Sequence, residues 1–89
     1  GILICGSGQG MAMAANKFSG VRAAVAWNEA VARETRADND SNVLSLPSRF
    51  VKPSELHAIA KAWLESDFSG EKRHLRRIAE ISELESRRG

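Results

Sequence analysis

Short unbroken apolar runs alternate along the chain with longer stretches in which apolar residues recur at helical spacing. Residues 2–4, ILI, form the first run and read as a strand buried on both faces, as in parallel sheets. The segment Gly6-Ser-Gly-Gln-Gly10 breaks it. Residues 11–17, rich in Ala and Met, predict a helix, closed by residues 18–20 with Gly20 as its C-cap. Residues 22–27, RAAVAW, give a second strand and residues 29–36 a second helix, followed by ADND as a polar turn. Residues 42–46, NVLSL, make a third strand, ended by Pro47. Pro53 sits at the first turn of a third helix, in which Leu56, Ile59, Ala60, Trp63 and Leu64 share one face. ESDFSG interrupts. A last helix runs from Glu71 to about Ser86 with two alternative stripes, Leu75, Ile78, Ile81 and Leu84 or Leu75, Ala79 and Ser82, on an otherwise charged surface.

Strands that alternate with helices imply a parallel sheet with right-handed crossovers. Three strands make a thin sheet, and residues 2–4 look too apolar for an edge. Gly1 leads directly into them. The expectation is therefore that residues 1–89 are the C-terminal portion of a single larger domain whose first strands lie elsewhere.

Composition narrows the function classes. The chain has 89 residues, 43% of them hydrophobic and 27% charged, which suits one soluble unit with a core. A net charge of +2 is too small to argue for a nucleic-acid partner, although basic residues gather late, in EKRHLRR and SRRG, where a local anion site could form. The single cysteine excludes an internal disulfide and fits a reducing, cytoplasmic setting. No apolar run reaches the roughly 20 residues of a membrane span.

The cysteine stands at the junction of the first strand and the glycine turn. In open α/β sheets, ligands bind beyond the carboxyl ends of the strands. Glycines there let a ligand approach the main chain closely, and free backbone N–H groups suit a phosphate or a developing oxyanion. A thiol at such a place is pushed toward the thiolate, so Cys5 is a candidate base or nucleophile. A lone cysteine at a strand end is also a common small hydrophobe. Gly6-x-Gly8-x-Gly10 is neither the dinucleotide fingerprint nor a phosphate-binding P-loop.

The stretch GILICGSGQGMAMAANKFSGVRAAVAW resembles the central segment of type B ribose-5-phosphate isomerases and of the related galactose-6-phosphate isomerase subunits. NDSNVLSLPSRF and RHLRRI resemble two later motifs of that family, in the same order. The resemblance implies a Rossmann-like, three-layer α/β/α sandwich around a parallel sheet. It implies aldose–ketose isomerisation of a phosphorylated sugar, ribose 5-phosphate to ribulose 5-phosphate in the pentose phosphate pathway, through an enediolate and with no metal or other cofactor.

On this resemblance Cys5 is the base that moves the proton between two carbons, and Ser7 assists at the substrate oxygens. The backbone N–H groups of Gly6, Gly8 and Gly10 hold the enediolate charge. Asn39 contacts the substrate, Arg73 and Arg77 clamp the phosphate, and Arg49 lies near it. Guanidinium forks suit phosphate geometry, although a pair of arginines four apart is more commonly a solvated helix face. Many members carry a ring-opening histidine where this chain has Asp38. An ordinary carboxylate is poorly matched to shuttling protons at neutral pH. His74 follows Arg73 as in the family; alone it would read as an exposed helical histidine. Trp27 and Trp63 read as core or interface aromatics. The family's homodimers imply shared active sites, the Cys5 turn of one subunit facing Asn39 and the arginines of the other.

Without the family's N-terminal Asp-His motif, this stretch alone is not expected to be active. Two other readings stay open at the level of sequence. One is a protein that binds a phosphorylated sugar or nucleotide without turnover. The other is a structural fragment with a buried, inert cysteine.

Overall fold

A computed structural model describes residues 1–87. Its elements run β1 (Ile2–Cys5), α1 (Gln9–Ala15), β2 (Ala23–Val25), α2 (Glu29–Asn39), β3 (Val43–Pro47), α3 (Pro53–Glu65) and α4 (Lys72–Arg87). The three strands form one sheet in the order β1-β3-β2, with both pairings parallel. Cys5 is in register with Pro47, and Val25 with Ser45.

Alternation along β3 divides the molecule into layers. Leu44 and Leu46 face α2 and α3, where they join Ala26, Ala32, Val51, Ile59, Ala62 and Trp63 in the hydrophobic core. Ser45 faces the other way, toward the turn that leads into α1. The sheet therefore lies between α1 on one side and the α2–α3 pair on the other. Trp63 is buried, and its Nε1 donates to Oγ of Ser41 at 2.8 Å, so its polar edge is satisfied inside the core. The guanidinium of Arg36 covers the ring at 5.2 Å.

Among the described residues β1 pairs only with β3, and Ile2 is 42% and Ile4 63% exposed. Several expectations are corrected. α1 ends at Asn16 rather than Gly20. The Asn16 amide is tied to Ala23 of β2 on both sides, donating to its carbonyl at 3.0 Å and accepting from its N–H at 2.7 Å. β2 is the three-residue core of the expected strand.

The ADND segment is not a turn. Its first three residues complete α2, and Asp40 stops the helix in the left-handed region at φ 46°, its N–H returning to Arg36 and Thr35. Aspartate tolerates that conformation, and Arg22 secures it by donating to the Asp40 carbonyl at 2.9 Å. Trp27 is 56% exposed and belongs to no core. On α4, Leu75, Ile81 and Leu84 are all at least 44% exposed, while the buried residue is His74, which reverses the expected stripe.

Candidate active site

The chemistry-bearing residues fall into two groups at opposite ends of the sheet. At the carboxyl end, β1 delivers Cys5 into the turn Gly6–Gly8. Gly8 turns the chain at φ 77°, and a Cβ there would lie 3.1 Å from Val25 and 3.3 Å from Pro47. Conformation and space thus both require glycine. The Gly8 carbonyl accepts from the buried Ser45 hydroxyl at 2.6 Å. The turn is also fixed to the loop after β3. Ser48 N–H donates to the Cys5 carbonyl at 2.9 Å, and Arg49 N–H donates to that of Gly6 at 2.8 Å.

This bracing aims main-chain donors at one sulfur. The N–H of Met11 does most to hold the half-buried Cys5 thiol below the usual cysteine range, followed by that of Gly8. Partial desolvation opposes them, and the N–H groups of Ser7 and Gly10 add to the lowering. A thiolate is favoured where fixed donors converge. Ser7 is half-buried beside it, its hydroxyl accepting from Gln9 N–H at 3.2 Å. Gly10 has open space where a side chain would stand. The Arg49 guanidinium lies against Gly6, with Nη2 2.6 Å from the position of an added Cβ. Next to the turn, Ser7, Gln9, Val25, Trp27, Pro47 and Phe50 line an open pocket of about 450 Å³.

The second group sits at the amino end, where α2 finishes before β3. Arg77 of α4 donates through Nε and Nη2 to Oδ1 of Asn39, at 3.1 and 2.7 Å, and through Nη2 to the Asp38 carbonyl at 2.5 Å. Nη2 also meets Nδ1 of His74 at 2.8 Å. Asp38 faces His74 through Oδ1, 3.5 Å from Nε2. Arg73 is exposed and pairs with Glu71 at 2.9 Å. Arg76 and Lys72 are exposed.

Within one chain, then, Cys5, Ser7, the glycines and Arg49 meet, and Asp38, Asn39 and Arg77 meet, but the two groups do not. The five residues of β3 alone, at about 3.3 Å each, put roughly 15 Å between the ends. Sequence reasoning missed Ser45, although a lone polar residue inside a buried strand was its signal. It also missed the burial of His74 and the aromatic rim of Trp27 and Phe50, for which the sequence carried none.

Residues 1–81 match the family model described as Ribose/Galactose Isomerase. The chain belongs to that family. It is 44% identical over 88 residues to ribose-5-phosphate isomerase B of Escherichia coli (strain K12), covering 99% of this chain and 58% of that protein. The fold superposes on ribose-5-phosphate isomerase B of Clostridium thermocellum with a TM-score of 0.96 at 43% identity, over 100% of this chain and 60% of that one. A ribose-5-phosphate isomerase B from Mycoplasma genitalium, solved with bound ribulose-5-phosphate, gives a TM-score of 0.93 at 48% identity, over 97% of this chain and 56% of that one. The chain thus spans less than two thirds of the length of these family members.

Proposed function

We propose that the protein interconverts an aldose phosphate and a ketose phosphate, ribose 5-phosphate and ribulose 5-phosphate being the favoured pair. The observation that carries this reading is the Cys5 thiol, lowered in pKa by the N–H groups of Met11, Gly8, Ser7 and Gly10 at the carboxyl end of a parallel sheet. Family membership and the ribulose-5-phosphate held by the Mycoplasma genitalium relative supply the substrate class.

The reaction needs a base that can give its proton back and fixed donors where negative charge develops. In the open-chain aldose, the Cys5 thiolate removes the proton from C2. The electron pair forms the C1–C2 double bond, and the carbonyl oxygen becomes an enediolate oxygen held by main-chain N–H groups of the turn. The Cys5 thiol then returns its proton to C1. A proton passes from the C2 hydroxyl to the C1 oxygen, with the Ser7 hydroxyl as carrier, and the ketose results. Nothing is oxidised or reduced from outside.

The phosphate end requires cations. Arg77, Arg73 and Asn39 suit it, but they stand at the other end of the sheet from Cys5. An open-chain pentose phosphate is shorter than that separation, so one site takes its base from one copy and its phosphate contacts from another. A homodimer with two shared sites satisfies this with one interface. Asp38, in the position where many family members have the ring-opening histidine, faces the same phosphate-end group.

The test is aldose–ketose interconversion by the intact protein and by Cys5→Ser. The serine variant is expected to lose about 100-fold or more in kcat, the scale of a positioned base. Wild-type activity with an unchanged rate in the variant would refute the assignment of the base.

A further inference from the structure

His74 is 5% exposed, and it is the buried residue of a helix whose Leu75, Ile81 and Leu84 are exposed. An imidazole kept from water needs a partner on each nitrogen. At Nδ1 that partner is Nη2 of Arg77, at 2.8 Å. A guanidinium only donates, so Nδ1 carries the lone pair. The proton of a neutral ring is then on Nε2, which faces two acceptors, Oε2 of Glu71 at 3.3 Å and Oδ1 of Asp38 at 3.5 Å. Glu71 is itself engaged by Arg73. The charged groups that surround the ring, Arg77 and Glu71 from the α4 side and Asp38 from α2, fit one tautomer.

We propose that His74 is the positioning residue that sets Arg77 for anion binding. With Asn39 and the Asp38 carbonyl it holds Nε and Nη2 of the guanidinium, and Nη1 has no hydrogen-bond partner among the described residues. A phosphate oxygen would take that nitrogen. The inference rests on the reading of Arg77 as a phosphate contact.

Three substitutions in the intact protein separate this from a packing role. In His74→Asn the amide oxygen stands near the Nδ1 position and can still accept from Arg77. His74→Gln places its amide near Nε2 and removes the acceptor at the Nδ1 position, leaving Arg77 only Asn39 and the Asp38 carbonyl. His74→Phe fills the space with no polar atom. With the sugar phosphate as substrate at about pH 8, Gln and Phe are expected to raise KM about 10-fold while kcat stays within about 2-fold, the scale of one hydrogen bond to a charged group. Asn is expected to keep a near wild-type KM. Unchanged KM in the Gln variant, or parallel losses of kcat and melting temperature in all three, would overturn the proposal. Calorimetry with inorganic phosphate on the same proteins keeps this question apart from the reaction. Phosphate binding that is as strong in His74→Gln as in wild type overturns the positioning role even if isomerisation is confirmed. Weakened binding in His74→Gln, restored in His74→Asn, supports it even if isomerisation is never observed.

Discussion

The Arg77 guanidinium is held between the side-chain oxygen of Asn39, at 2.7 Å from Nη2, and Nδ1 of His74, at 2.8 Å. Arg73, four positions earlier on the same helix, has among the described residues only the exposed Glu71. The two arginines of the motif RHLRRI are therefore unequal. One is fixed before any ligand arrives and loses little freedom when it binds. The other must be drawn from a solvated pair.

Unequal anchoring predicts unequal kinetics. Arg77→Lys keeps the charge but loses the fork, and KM for the sugar phosphate should rise about 10- to 100-fold. Arg73→Lys should raise it several-fold less. Steady-state assays of both variants check this, and equal effects would contradict the difference in anchoring.

The lowered pKa of Cys5 has its own signature. A group whose pKa is depressed is ionised at lower pH than usual, so alkylation reaches its plateau early. The pH midpoint for reaction with iodoacetamide should fall below the value of about 8.5 for an ordinary cysteine. Cys5 is the only cysteine, so the measurement needs no competing site removed. A midpoint at or above that value would contradict the convergence of N–H groups on the sulfur.

Gly8 carries both a left-handed φ and a close approach to Val25 and Pro47. Gly8→Ala should destabilise the fold by about 1–2 kcal/mol from the backbone conformation alone. Gly10→Ala, with open space at its Cβ, should change stability far less. Urea unfolding of the two variants provides the comparison.

The element order and the parallel sheet were legible because short apolar runs and helical spacing are strong signals, and β3 shows this best. Boundaries were decided by contacts the sequence does not display. Asn16 ends α1 because β2 holds its amide, and α2 continues through Asp38 and Asn39 because Arg22 secures Asp40 beyond them. At the site, the glycine spacing and Cys5 pointed to the turn as a unit. The burial of His74 was hidden, since it depends on how α4 meets the end of α2 rather than on the stripe of α4 itself.

The central claim is that one active site takes its thiolate from one copy and its phosphate contacts from another. Mixing two inactive variants tests it most directly. Cys5→Ser and Arg77→Ala are co-expressed with different tags, and isomerase activity is measured on the mixed assembly. Shared sites leave one of the two sites of each mixed dimer fully native, so the isolated mixed dimer should show about half of wild-type activity, and the unfractionated, randomly paired mixture about a quarter. If each site were built within a single chain, every site in the mixture would carry one lesion. Activity no greater than the sum of the two variants measured separately would contradict the account.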